Sequence, residues 1–223
     1  MEASFWHQRW EDEQIAFHEK RGNHLLTQYF KRLSSSGVAT RASATPTRVF
    51  LPLCGKTLDI GWLLAQGCQV AGAELSELAI RQLFDELGVT PQVSKAGQLM
   101  HFQAPDIDMF VGDIFDLSRE ALRPVDAIYD RAALVALPDE MRLRYARHLT
   151  HITANAPQLL ICFEYEQSQM EGPPFSIDAA QVALQYKDQY AIEFLGAREV
   201  PGGLKGRVAA NESAWLLRPQ SEI

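Results

Sequence analysis

Apolar positions along the chain alternate between two periods, and the alternation outlines a fold. Residues 48–53 (RVFLPL) form a short, largely apolar run of the kind found in strands covered on both faces. Residues 57–65 switch to helical spacing, with Leu58, Ile60, Trp62, Leu63 and Leu64 apolar and Gly67 placed where a helix stops. Residues 69–74 (QVAGAE) return to strand character and end on an acid. Parallel neighbours need a crossover helix, so 48–77 predicts a βαβ unit. Ser76 is placed to cap a helix running to about residue 87, with Gly88 ending it. Residues 93–104 read as a small antiparallel excursion turning at Gly97, followed by a strand over 109–115. Strands are expected again over 125–129, 158–165, 191–197 and 214–217, and helices over 138–152 and 182–186. Pro138 is expected in the first turn of its helix.

Two helices precede this body. One lies within 3–14 and puts Trp6 and Trp10, four apart, on one face. The other spans 23–33, and the Ser-, Ala- and Thr-rich stretch 34–47 connects it to the first strand. The expected fold is therefore α/β: a Rossmann-like sheet, mostly parallel with one antiparallel strand, helices on both faces and an N-terminal helical cap. One domain is expected over 1–223, with 1–47 as cap and connection and 48–223 as the body, because about 45 residues cannot build a core alone.

Two residues give the βαβ unit a chemical aspect. Gly55 stands at the strand-to-helix turn, and Glu74 follows 19 positions later at the tip of the next strand. An acid about 20 residues beyond a glycine turn is placed to accept hydrogen bonds from both ribose hydroxyls of a nucleotide. A solvated strand-end acid is the plainer alternative. Gly55-Lys56-Thr57 mimics the end of a P-loop, but Phe50 stands where that loop needs its first glycine. A dinucleotide site wants three glycines around a pyrophosphate, whereas here Leu53 and Cys54 crowd a one-glycine turn. S-adenosylmethionine carries a ribose and no phosphate, and fits the tighter turn best.

Further candidates lie at the expected strand ends. Ile114 is positioned to pack on a purine, and Asp113 either meets its exocyclic amine or caps a turn. Arg131 sits in an otherwise apolar run, DRAALVALP, and needs a ligand or an acidic partner such as Asp130. Trp10 either docks an amphipathic helix on the core or lays its indole face on a cation such as a sulfonium. Gly172-Pro173-Pro174 reads from its chemistry as a rigid turn.

The segments FWHQRW, LPLCGKTLD, GAELSE, GDIFDL, YDRAALVALP and GPPF, in this order, resemble the bacterial branch of the thiopurine S-methyltransferase family. The likeness covers about three-quarters of the chain and is less clear after Glu193. It implies a class I methyltransferase sheet that binds S-adenosylmethionine and transfers its methyl to aromatic or heterocyclic thiols. It implies cofactor contacts from Trp10, Leu53, Gly55, Glu74, Asp113, Ile114 and Arg131. It places Phe17, Arg131 and Pro173 around the acceptor, with Arg131 as the catalytic candidate. A detoxifying role, extending to selenium or tellurium compounds, follows by the same analogy. The alternative is a non-catalytic nucleotide-binding protein or a P-loop-like NTPase.

Composition narrows the class. With 223 residues, 47% hydrophobic and 22% charged, the chain can build one sizeable core. A net charge of −7 argues against a nucleic-acid partner and leaves small molecules such as a thiol or metalloid acceptor. The first residues lack the basic and apolar regions of a signal peptide, and no run is long enough to span a membrane. Three cysteines without metal-ligand spacing read as reduced thiols, so no metal and a cytoplasmic location are expected, with the protein a monomer.

Overall fold

The computed structural model describes residues 3–15, 22–34 and 47–220. Nine strands share one sheet: β1 (Arg48–Pro52), β2 (Gln69–Glu74), β3 (Gln92–Ala96), β4 (Leu99–Ala104), β5 (Ile107–Val111), β6 (Ala127–Arg131), β7 (Gln158–Glu164), β8 (Tyr190–Glu199) and β9 (Asn211–Pro219). Their spatial order is β3-β4-β5-β2-β1-β6-β7-β9-β8. The central five, β5 through β7, are parallel. β9 runs against both β7 and β8, between which it is inserted. One antiparallel strand was expected, but β4 also runs against the central strands. The hairpin β3–β4 does not stand apart. Its turn at Gly97 (φ 64°) folds β4 back along β3, and β4 pairs in turn with β5, so the excursion extends the sheet.

Helices α1 (Ala3–Glu11), α2 (His24–Ser34), α3 (Leu58–Ala65), α4 (Glu77–Leu87), α5 (Arg119–Leu122), α6 (Asp139–Ile152) and α7 (Ala179–Tyr186) complete the framework. Successive strand residues point to opposite faces. Val49 and Leu51 therefore pack with Leu26 of α2, Ile60 and Leu63 of α3 and Phe84 of α4. Phe50 packs on the other face with Tyr145 and Leu149 of α6 and Val182 of α7. Helices thus cover both faces. Among the described residues, no helix is long and apolar enough to cross a membrane.

Local chemistry sets the boundaries. Thr57 accepts from the Asp59 amide at the start of α3, Ser76 accepts from Ala79 at the start of α4, and left-handed Gly88 ends α4. Pro138 precedes α6 rather than opening it, because the helix begins at Asp139. β5 stops at Val111, short of the expected 115. Gly112 adopts φ 139°, where a Cβ would meet Leu99 Cδ2 at 2.5 Å, and Asp113 then accepts from the Phe115 amide to start a 3-10 turn over Ile114–Asp116. β6 runs two residues further than expected and carries Asp130 and Arg131 within the strand.

Two polar networks fasten the body. At the start of β1, Arg48 and Arg123 bind Asp108 Oδ2 at 2.8 and 2.6 Å, and His101 Nε2 lies 2.9 Å from Oδ1. Nearer the strand ends, Asn23 donates its amide to Asp59 Oδ1 (2.6 Å) and its side-chain amide to Glu212 Oε1 (2.9 Å). Asn23 Oδ1 accepts from Leu25 and Leu26, so this one residue starts α2 and, through its backbone amide and its side chain, ties it to α3 and β9.

Candidate active site

A cavity of about 540 Å³ opens at the carboxyl ends of the parallel strands, where β1 is flanked by β2 on one side and β6 on the other. Ligands of open α/β sheets bind at such a crossover point, and the volume lies in the range of small-molecule sites. The turn after β1 forms its floor. Leu53 (φ 47°) and Gly55 (φ 54°) both take the left-handed conformation, which reverses the chain within a few residues before α3. Nothing in this short turn resembles a phosphate-cradling loop. The Trp10 indole lies on the bend, and a Cβ at Gly55 would meet its Cζ2 at 3.0 Å. Trp10 is the buried residue of α1, so its core contact and its place on the cavity wall coincide.

Glu74, 7% exposed, faces the same cavity. The Gly55 amide donates to its Oε2 and the Ser76 amide to its Oε1, each at 2.8 Å. The carboxylate thereby links the two strand-end turns and holds its own plane fixed. Burial raises its pKa above the ordinary 4.5, opposed by the amides of Ser76, Gly55 and Leu75 and by the His7 charge. Each carboxylate oxygen has two acceptor positions, so capacity remains beyond these backbone bonds. Ile114 and Asp113 line the cavity beyond Gly112. Asp113 is exposed and spends one oxygen on the Phe115 amide at 3.0 Å.

Arg131 lines the cavity from the tip of β6. The preceding Asp130 points to the opposite face, is fully buried, and accepts from Tyr145 Oη (2.7 Å) and the Leu134 amide (3.2 Å). Its carboxylate is thus engaged away from the cavity. Burial pushes Asp130 up to about 6, against the hydrogen bonds from Tyr145, Leu134 and Ala133. Pro173 and Pro174 line another wall. Tyr165 Oη donates to the Pro174 carbonyl (2.6 Å) and the Phe175 amide to the Val135 carbonyl (2.7 Å), strapping this turn to the body. The structure therefore brings Trp10, Leu53, Gly55, Glu74, Asp113, Ile114, Arg131 and Pro173 to one cavity. Phe17 lies outside the described residues.

A family model described as Thiopurine S-methyltransferase matches residues 1–215. The chain belongs to the thiopurine S-methyltransferase family. A thiopurine S-methyltransferase of Xanthobacter autotrophicus is 51% identical over 218 residues, covering 97% of this chain and 99% of that one. One from Teredinibacter turnerae is 48% identical over 97% of each chain. Among solved structures, a Burkholderia thailandensis 1,6-didemethyltoxoflavin-N1-methyltransferase with bound S-adenosylhomocysteine superposes with a TM-score of 0.62 at 12% identity, covering 98% of this chain and 87% of that one. A TehB-like methyltransferase from Corynebacterium glutamicum gives 0.56 at 13% identity over 98% of each. At such identities the likeness establishes the α/β methyltransferase fold.

Other wall residues escaped the sequence reading. Asp59 is 1% exposed and takes hydrogen bonds from Asn23, Tyr129 Oη (3.0 Å) and Thr57. Arg198 of β8 forms a two-nitrogen pair with Glu212 Oε2 at 2.9 and 2.6 Å. The two residues are directly opposite in the β8–β9 register, which no spacing in the sequence displays. Arg9 and Lys205 also reach the cavity. For Lys205 the one signal was its setting in the glycine-rich stretch 201–213.

Proposed function

We propose that this protein transfers a methyl group from S-adenosylmethionine to the sulfur of aromatic or heterocyclic thiols. The observation that carries the reading is the Glu74 carboxylate, immobilised by the Gly55 and Ser76 amides and turned to the cavity of a family methyltransferase. The residues suit this cofactor. Glu74 keeps acceptor capacity for a ribose diol. Trp10 offers an aromatic face beside the bend, suited to a cationic sulfur. The turn is tight and makes no phosphate cradle.

When bound, S-adenosylmethionine supplies a methyl on a cationic sulfur, which passes in line to an acceptor thiolate to leave a thioether and S-adenosylhomocysteine. The chain's own work is binding and alignment, worth up to about 7–11 kcal/mol in favourable cases. Glu74 holds the ribose, Leu53 and Gly55 shape the floor, and Ile114 and Asp113 meet the adenine side. Arg131 steadies the negative charge of the acceptor and contacts the cofactor. The apolar walls around Val135, Phe163 and Pro173 exclude water, which strengthens these charge interactions. Phe17 is assigned to the acceptor wall by family likeness. No general base is needed for a thiol of low pKa.

The same polarisable-anion chemistry extends the reading to selenium and tellurium acceptors and to a detoxifying role. The protein is read as a single methyltransferase domain over 1–223, monomeric and cytoplasmic. The test is transfer of a labelled methyl from S-adenosylmethionine to a panel of aromatic and heterocyclic thiols. Transfer to none of them, under conditions where the protein is folded, overturns the reading.

A further inference from the structure

The cavity wall carries two positive side chains that the methyl-transfer reading does not use. Arg9 reaches it from α1 and Lys205 from the loop before β9. Both line the one cavity, and burial first, then the positive charges of Arg9 and Arg207, lower the Lys205 ammonium from its ordinary value. Two other cations of the wall are compensated. Arg198 has Glu212 at 2.6 Å, and Lys56 has Glu86 at 2.6 Å. Among the described residues, no Asp or Glu forms an ion pair with Arg9, Lys205 or Arg207. The Arg9 guanidinium lies 4.7 Å from the Phe5 ring centre, and its Nε is buried without a hydrogen-bond partner among the described residues. Lys205 is exposed and Arg9 half-buried, so the two cations stand at the rim of the cavity, where their shared positive field draws an anion.

The loop backbone holds this arrangement. Lys205 adopts φ 51°, a conformation that non-glycine residues take under strain and that collects at binding sites. Leu204 and Val208 exchange amide hydrogen bonds at 2.8 and 3.2 Å across the turn. A Cβ at Gly203 would lie 2.6 Å from the Val208 carbonyl oxygen, so the turn is closed tightly. The rest of the neighbouring wall is apolar, with Leu137, Met141, Phe163 and Leu204 suited to a ring.

We propose that Arg9 and Lys205 form a carboxylate-recognising subsite at the solvent edge of the cavity, selecting acceptor thiols whose ring carries an anionic substituent remote from the sulfur. This rests on the thiol methyl-transfer reading. The subsite favours anionic over neutral acceptors of equal shape, because Lys205 gives a point charge and Arg9 a planar fork. A carboxylate could instead come from the methionine part of the cofactor, and the test separates the two sources.

The full chain is assayed with meta-mercaptobenzoate and with its methyl ester, which keeps the ring and thiol but removes the charge. The reading is the ratio of their kcat/KM values, in the unaltered protein and in Lys205→Met, Lys205→Glu and Arg9→Gln. The free acid is expected to be favoured, with the ratio falling about fivefold in Lys205→Met and Arg9→Gln, as for a solvent-edge ion pair, and inverting in Lys205→Glu. Calorimetry of mercaptobenzoate binding to the protein saturated with S-adenosylhomocysteine provides a readout without turnover. Loss of acid affinity in Lys205→Met there supports the subsite even if no thiol is methylated, so the two readings fail separately. Ratios unaltered in all three folded variants, or weakened S-adenosylhomocysteine binding in place of a changed ratio, overturn the proposal.

Discussion

Replacing Glu74 by Gln tests the site at its most constrained point. The wild-type carboxylate accepts one amide on each oxygen, Gly55 on Oε2 and Ser76 on Oε1. A carboxamide has one acceptor oxygen, so its NH₂ must face one of these two donors. One buried amide then loses its partner, which costs about 1–3 kcal/mol. At about 2–4 °C per kcal/mol for a chain of this size, the melting temperature should fall by several degrees. The ribose hydroxyls also lose a charged acceptor, worth about 1.5–3 kcal/mol per bond. Affinity for S-adenosylhomocysteine should therefore weaken roughly ten- to a hundredfold. Titration calorimetry on Glu74→Gln and Glu74→Asp, with melting measured in parallel, separates the two effects. The pH dependence adds a sign. Burial raises the Glu74 pKa, and in the proposed role the ionised form is the ribose acceptor, so affinity should decline as pH falls through that raised value. A Glu74→Gln protein that melts lower yet binds S-adenosylhomocysteine within about threefold of wild type would sink the ribose assignment.

Gly55→Ala should lower both stability and cofactor affinity, because a left-handed alanine costs about 1 kcal/mol and its Cβ would press on Trp10; melting with and without S-adenosylhomocysteine reads both. Arg131→Ala should reduce kcat/KM for a thiol acceptor about ten- to a hundredfold through loss of a charge-assisted contact, with a near-normal melt; undiminished kcat/KM removes its role. Asp130 is held near 6 when folded, so the folded protein binds the extra proton between the ordinary aspartate value and about 6. Its contribution to stability therefore declines as pH rises through that window and levels off above it. Denaturant titrations across that range should show Asp130→Asn lacking this decline. Asp108 behaves oppositely: burial opposes its ionisation, but Arg48, His101 and Arg123 hold it below its ordinary value, so the stability it adds is lost as pH falls through the folded value. Asp108→Asn should flatten the acid end of the same titration.

The βαβ unit was legible because its signals are local. Apolar period, Thr57 and Ser76 as caps, and Gly88 as stop all lie within a few residues of what they specify. Glu74 was readable for the same reason, since strand and helix lengths fix its distance from Gly55. Strand ends were less legible. The apolar run through Phe115 hides the break at Gly112, which depends on Leu99 from a neighbouring strand. The acid at 130 resembled a loop partner for Arg131, yet strand alternation sends the two to opposite faces. Arg198 and Glu212 meet through register alone, and Arg9 and Lys205 come to one cavity only through tertiary folding. Such contacts between distant segments leave no period in the chain.

The insertion of β9 between β7 and β8 gives the order of assembly a chemical result. Until residues 211–219 are in place, β8 has no strand to lean on and β7 presents a bare edge. The same segment carries Glu212, which fixes Arg198 in the cavity wall and anchors Asn23 ahead of α2. A ribosome that has made the first two hundred residues has therefore made the turn after β1 without finishing the opposite wall of the cavity. The strand that completes the sheet thus also completes the polar wall of the cavity.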